Sequence, residues 1–386
     1  MAIRPNGAIR RQLRTLFNLG AIGELTDGQL LERFATQDGE AAELAFAALV
    51  ERHGPMVLRE GYSAMLMNRR RFLELSSAAV PLGFFSHYAS EQGTAEKKTY
   101  TYKTADKLEI QADVYSSKAD RLRPALIWIH GGALILGDRR GIDATFRDQL
   151  AAAGFAVVSI DYRLAPETKL AAILEDVQDA YKWVREKGPK FFHADPGRIA
   201  VAGNSAGGYL TLTTGYRVEP KPRALVAFWG FGDIMGEWVS KPNAFYRRQP
   251  LVTREEARQA VGTMPLTTPA AKNSRGRFFL YCRQQGVWPQ EVAGLDPVKD
   301  ARAFDPYCPT RNVTAQYPPT LLIHGSKDMD VPYEQSAEMD RELTKHRVDH
   351  ELIAVREAGH GLVDAKPEEA AEASARAVAF VKKHVG

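Results

Sequence analysis

Between Thr99 and Lys383, short β-branched or apolar runs alternate with longer runs at helical spacing, and few architectures accommodate that alternation. The strand-like runs are Thr99–Lys103, Leu108–Tyr115, Ala125–Ile129, Ala156–Asp161, Arg198–Ala202, Ala224–Trp229, Thr320–Ile323 and Glu351–Val355. The helical runs include Phe146–Ala152, Ala171–Glu186, Ala206–Gly215, Glu334–Lys345 and Pro367–Lys383. Several strand runs are continuously apolar, as strands covered on both faces must be. Strands alternating with helices build a mostly parallel sheet flanked by helices, so the fold class is α/β. The first two runs, joined through Ala105-Asp106-Lys107, read as an antiparallel hairpin at the edge of that sheet. One insertion breaks the pattern, between Trp229 and Thr320. A structureless loop of that length would be unusual, so residues of about 231–316 are expected to form a cap over an active site. Its aromatics, Trp238, Phe245, Tyr246, Phe278, Phe279, Tyr281 and Trp288, are expected mostly to make a small core for the cap, with some lining a substrate pocket.

Chemistry concentrates in four segments. Val201-Ala-Gly-Asn-Ser-Ala-Gly-Gly208 places Gly203, Ser205 and Gly207 between an expected strand and an expected helix. That context makes a tight turn on which a serine hydroxyl stands clear of the backbone, with the helix N-terminus behind it favouring developing negative charge. Ile127–Gly137 follows an earlier strand, and its glycines let amides point into a cavity without Cβ obstruction. Gly131, Gly132 and Ala133, with Ala206 after the serine, are the candidate oxyanion donors. His130 reads as a structural residue that orients this loop. Asp328 lies just beyond one strand and His360 just beyond the last. The order Ser205, Asp328, His360 suits a nucleophile, an orienting acid and a base. Asp330, two residues on, is the alternative acid.

These motifs carry a resemblance. His130-Gly-Gly132, Asp161-Tyr-Arg-Leu-Ala-Pro-Glu167, Gly203-Asn-Ser-Ala-Gly-Gly208 and His324-Gly-Ser-Lys-Asp-Met-Asp-Val-Pro332 resemble the hormone-sensitive-lipase-like esterases of the α/β-hydrolase superfamily, over nearly all of residues 96–386. The resemblance implies an α/β-hydrolase fold, a carboxylesterase activity through an acyl-enzyme, no cofactor and a small-molecule ester as substrate. It also implies that Asp161 and Arg163 pack beneath the active site as structural residues. The chain departs from the family in having Ala133 where a third glycine is usual, and in a cap that must come from 231–316 rather than from a segment before His130. The segment 324–332 is also similar to the corresponding part of prolyl-oligopeptidase-type peptidases, which leaves a serine peptidase as an alternative.

The N-terminal quarter is different in kind. Residues 1–60 read as a helical hairpin, and about 20–59 resembles the start of region 2 of an extracytoplasmic-function sigma factor. On that reading the chain could instead be a non-catalytic regulatory or binding protein. Residues 61–95 contain Arg69-Arg70-Arg71-Phe72-Leu73 before a modest apolar run, which matches a twin-arginine export pattern. Translation from Met65 or Met67 would make that pattern terminal and imply a periplasmic or secreted protein; otherwise a cytoplasmic location is expected.

Composition narrows the alternatives. A net charge of +4 is too small to argue for nucleic acid. No stretch reaches the ~18 apolar residues of a membrane span. Cys282 and Cys308 are too few for a disulfide framework or a four-ligand zinc site and are expected to be free thiols. Neither a HExxH metal motif nor a dinucleotide or phosphate-binding glycine loop occurs.

Overall fold

The computed structural model describes residues 95–269 and 275–386. The sigma-like stretch and the twin-arginine pattern lie outside them. In chain order the elements are β1 (Glu96–Ala105), β2 (Leu108–Ser116), β3 (Arg123–Ile129), α1 (Ala144–Ala152), β4 (Ala156–Ile160), α2 (Leu170–Phe192), β5 (Ala194–Asn204), α3 (Ala206–Arg217) and β6 (Ala224–Phe228). An insertion follows with four short helices, α4 (Glu237–Ser240), α5 (Arg254–Gln259), α6 (Gly276–Gln285) and α7 (Trp288–Ala293), and several 3-10 turns. The chain then returns through β7 (Thr320–Gly325), α8 (Glu334–Lys345), β8 (His350–Val355) and α9 (Pro367–Val385).

The described strands form one eight-stranded sheet in the order β1-β2-β4-β3-β5-β6-β7-β8. β1 and β2 pair antiparallel, as does β2 with β4, and every later pairing is parallel. The period-two alternation of the central strands sorts their side chains into two cores. Ile127, Ile129, Val158, Val201, Leu225 and Leu322 face α2, α3, α8 and the insertion. Leu126, Trp128, Val157, Ala202, Val226 and Ile323 face α1 and α9. α2 buries Leu170, Ile173, Leu174, Val177, Ala180, Tyr181 and Val184, the stripe that helical periodicity places on one side.

The insertion is a cap with its own apolar centre that continues into the core on the α2 and α3 side. Phe278, Cys282, Trp288, Val292 and Phe304 are all buried there. Arg275 fastens the cap to the sheet domain. Its buried guanidinium pairs with the buried Glu167 at 2.7 and 2.5 Å and donates to the carbonyls of Ile135 and Ala165. Nearly every hydrogen-bonding group of that pair is thereby satisfied, as a charge pair taken out of water requires.

The antiparallel edge is tied down by charge. Asp113 on β2 is buried and accepts from Thr99 Oγ1, Lys97 Nζ and Arg139 Nε. Arg139 also pairs with Asp161 at 2.6 Å. Arg163 pairs with Asp176 of α2, and Lys103 of β1 reaches the same carboxylate at 2.7 Å. Asp161 and Arg163 thus make structural ion pairs beneath the sheet's C-terminal ends.

Candidate active site

Three loops converge at the C-terminal ends of the parallel strands. The first is the β5–α3 turn. Ser205 stands between the last residue of β5 and the first of α3 with φ 54° and ψ −121°. That sparsely populated conformation costs on the order of 1–3 kcal/mol. It persists because Ser205 N donates to Phe228 O at 2.8 Å while Ser205 O accepts from Tyr209 N at 3.0 Å. Crowding sets the residue type nearby: a Cβ on Gly207 would lie 2.0 Å from the carbonyl oxygen of Ile129.

The second loop follows β3. Gly132 has φ 113°, and a Cβ there would meet the Leu136 carbonyl oxygen at 2.2 Å. Its own carbonyl accepts from Ile135 N and Leu136 N, closing a compact turn. Ala133 and Leu134 follow at φ 55° and 62°. A left-handed alanine costs roughly 1–2 kcal/mol, so an alanine at this position carries strain that a glycine would not. External bonds offset it. Trp288 Nε1 of α7 donates to Ala133 O at 3.0 Å, Ala165 N to Leu134 O at 2.8 Å, and Arg275 Nε to Ile135 O at 2.8 Å. The cap therefore holds the loop that it covers.

Of the four candidate oxyanion donors, Gly131 is corrected. Its N–H donates to Asn204 Oδ1 at 2.9 Å and is already occupied. The amides of Gly132 and Ala133 make no hydrogen bond among the described residues. Ala206 opens α3, where first-turn amides lack helical partners. His130 lies on the loop's inner side, stacked on Tyr162 with ring centroids 4.2 Å apart, its Nδ1 2.7 Å from the Gly131 carbonyl oxygen. Burial pushes its pKa down to about 4. It makes no hydrogen bond to Ser205 or His360, and its contacts are with Gly131 and Tyr162, as expected of a residue that shapes this loop rather than of a base.

The third loop pair brings the remaining residues. His360 Nε2 lies 3.0 Å from Ser205 Oγ, and His360 Nδ1 lies 2.7 Å from Asp328 Oδ2. Asp328 Oδ1 accepts from the amides of Asp330 and Val331, both at 2.9 Å. Burial would raise the Asp328 pKa, but hydrogen bonds from His324 and His360 outweigh it and hold this carboxyl well below the usual range. Burial alone would lower the His360 pKa. The Asp328 hydrogen bond and the charges of Asp330 and Asp328 reverse that and raise it. Asp330 Oδ2 stands 3.6 Å from His360 Nε2, on the side away from the Nδ1 that an orienting acid must hold. Geometry therefore gives Asp328 the orienting position and leaves Asp330 at the rim.

Two cavities meet at Ser205. A groove of about 880 Å³ is lined by the 130–133 loop, Asp138, Arg140, Trp229, Phe279, Asp330 and His360. A chamber of about 20 Å³ also reaches Ala133 and Ser205; Phe231, Trp238, Val239, Trp288 and Val331 wall it, with Arg283 and with Phe279 and Asp330, which line the groove as well. Among the expected cap aromatics, Trp238, Phe279 and Trp288 line these cavities, while Phe278 and Tyr246 are buried in the cap. Cys282 and Cys308 are both free and buried, and burial pushes the Cys308 thiol up to about 12. Among the described residues no three His, Cys, Asp or Glu side chains converge as a metal site would need, and no helix is long and apolar enough to cross a membrane.

Sequence reasoning did not single out Asn204 or Arg275 as parts of the site, and it named Trp288 only as one of the cap aromatics, not as a partner of the Ala133 loop. Asn204 sits inside the serine motif, and its adjacency to the turn was the available signal. Trp288 and Arg275 act from more than a hundred residues away, and no local pattern links them to Ala133 and Ile135.

Comparison with known proteins agrees with this architecture. A family model described as BD-FAE matches residues 112–343, more than half of the chain. The non-reducing polyketide synthase adrD of Penicillium rubens is 29% identical over 342 residues, covering 75% of this chain; the chain spans only 14% of that protein's length. An α/β-hydrolase superfamily protein from Enterococcus faecalis superposes with a TM-score of 0.60 at 22% identity, over 75% of this chain and 99% of its own. An esterase from Pyrobaculum calidifontis gives a TM-score of 0.55 at 25% identity, over 76% and 86%. The fold is that of the α/β hydrolases, with a cap inserted after the sixth strand.

Proposed function

The chain belongs to the BD-FAE family, and on that premise we propose that it is a serine-dependent carboxylic ester hydrolase that works through an acyl-enzyme on Ser205. The observation that carries this reading is the unbroken relay from Asp328 through His360 to Ser205, with bonds of 2.7 and 3.0 Å. His360 Nε2 takes the serine proton as Oγ attacks the ester carbonyl. The amides of Gly132, Ala133 and Ala206 receive the negative charge that develops on the carbonyl oxygen. His360 then returns the proton to the departing alkoxide, and later activates the water that releases the acid. Asp328 fixes the imidazole tautomer and stabilises the imidazolium.

The two cavities divide the substrate. His360 protonates the leaving oxygen, so the alcohol lies on its side, in the large groove with its polar rim of Asp138 and Arg140. The acyl group points the other way, into a chamber with space for about one methyl-sized group. The substrate class is therefore an ester of a short acid with a bulky, polar alcohol.

The deciding experiment is hydrolysis of p-nitrophenyl esters of increasing acyl length, with Ser205→Ala alongside. Acetate should be turned over best, and the variant should lose a factor of roughly 10⁴–10⁶ in kcat. Cleavage of peptide amides with no action on esters would replace this reading with the peptidase one. Wild-type rates from the variant would end the serine mechanism.

A further inference from the structure

His324 is the penultimate residue of β7, four residues before Asp328, and its side chain is wholly buried. Its partners all lie in the segment that follows, residues 328–336. Its Nδ1 lies 2.7 Å from Ser336 Oγ on α8. Its Nε2 lies 2.9 Å from the Val331 carbonyl oxygen and 3.3 Å from Asp328 Oδ2. The ring of Tyr333 meets it edge-on at 5.9 Å.

The protons on this ring follow from its partners. A backbone carbonyl can only accept, so Nε2 carries a hydrogen; it donates to Val331 O at 2.9 Å and stands 3.3 Å from the Asp328 Oδ2 carboxylate oxygen. Ser336, whose hydroxyl can donate or accept, suits Nδ1 in either state. The Asp328 carboxylate is thus surrounded by donor groups. Two amides hold Oδ1, His360 holds Oδ2 at 2.7 Å, and the His324 imidazole stands 3.3 Å from that same Oδ2. With Oδ1 alone fixed, the carboxylate could still swing about that edge. Oδ2 is the atom that would move, and it is the atom that orients His360.

We propose that His324 is a positioning residue for the triad: its Nε2–H pins Asp328 Oδ2 from behind and so sets the direction in which His360 faces Ser205. This rests on the ester-hydrolase reading. It adds a fourth side chain, out of reach of substrate, whose removal acts on turnover and not on binding. The donors to Asp328 outweigh the burial that would otherwise raise its pKa. The charged groups around His360 are Asp328, Asp330 at 3.6 Å, and, behind Asp330, Arg283 of the cap, whose Nη2 donates to the Asp330 carbonyl. Around His324 the polar neighbours are Asp328, Ser336 and the Val331 carbonyl. Deleting the His324 donor leaves Asp328 a stronger acceptor toward His360, which then holds its proton to higher pH.

Three substitutions separate donor from bulk. Glutamine places an N–H where Nε2 stood, asparagine places one nearer Nδ1, and leucine places none. His324→Leu and His324→Asn should lose about 10-fold in kcat with KM retained, and the acid limb of kcat/KM should rise by about 0.5 pH unit. His324→Gln should recover most of the rate and the wild-type limb. Equal losses in all three folded variants, or a pH profile unchanged in His324→Leu, would overturn the proposal. Should His324→Leu not fold, His324→Asn and His324→Gln still decide. Nitrogen NMR of the histidine rings in the wild-type protein gives a test independent of turnover. The His324 hydrogen should be found on Nε2, and an Nδ1–H tautomer would overturn the proposal. If the wild type hydrolyses no ester, the ester reading fails on its own, and the tautomer still reports on His324.

Discussion

Two aspartates stand within reach of His360, and their placement assigns them different work. Asp328 meets Nδ1 at 2.7 Å and Asp330 faces Nε2 at 3.6 Å. Asp328→Asn should drop kcat by about 10⁴, the loss seen when a triad acid is replaced and the wrong tautomer results. Asp330→Asn should leave kcat near wild type and move the acid limb of kcat/KM down. The sign follows from charge: the Asp330 carboxylate helps raise the His360 pKa, so without it the imidazolium releases its proton at lower pH and the active base form persists further into acid. A pH–rate series on both variants checks this, and an upward shift in Asp330→Asn would contradict it. At this scale the sequence was informative where function depends on order and spacing. Ser205, Asp328 and His360 each follow a strand, and the structure brings them together. It was silent where function depends on which way an amide points. Gly131 and Gly132 look alike in sequence, yet Asn204 occupies the first and a left-handed turn exposes the second.

Among elements, the cap matters most, and α7 in particular. The indole of Trp288 both walls the small chamber proposed for the acyl group and donates to the Ala133 carbonyl. Trp288→Leu should therefore do two things at once. The chamber should enlarge, so that the ratio of butyrate to acetate kcat/KM rises by about 10-fold or more, the scale on which pockets discriminate methylenes. The strained loop should also lose a restraint, so that kcat on acetate falls. A larger ratio with undiminished acetate turnover would mean that the tether is dispensable. All eight strands and the five flanking helices of the described residues were legible as elements, because buried parallel strands and amphipathic helices write their periodicity locally. Their ends were less so: β5 begins at Ala194 and α2 runs to Phe192, through Pro189, because pairing with β3 and packing on the sheet extend both beyond what their residues favour alone. The cap's interior was legible only as aromatic content, since helices of four to ten residues carry too few turns to show a period.

For the molecule as a whole, the buried charges near the β2–β4 edge govern the response to pH. Burial lifts the Asp161 pKa to about 6 despite the two hydrogen bonds from Arg139, against about 3.9 for an unfolded aspartate. Between those values the folded chain keeps a proton that the unfolded chain has released, so this group makes stability fall as pH rises from about 4 to about 6. The decline is on the order of 2 kcal/mol. Urea unfolding of the wild type and Asp161→Asn at several pH values isolates it: the wild type should lose stability relative to the variant across that window. A flat difference would mean that Arg139 compensates the buried charge in full.

The hairpin held by those charges has a further consequence. Its outer strand, β1, carries Glu96, Lys97 and Lys98 in exposed positions, and a bulge between Thr101 and Lys103 breaks its register with β2. A strand arriving from another molecule would have to desolvate lysines and match a kinked edge. Among the described residues, the sheet thus ends in a border that discourages its own extension, and the anchoring charges that hold the hairpin in place also keep it from serving as a template for aggregation.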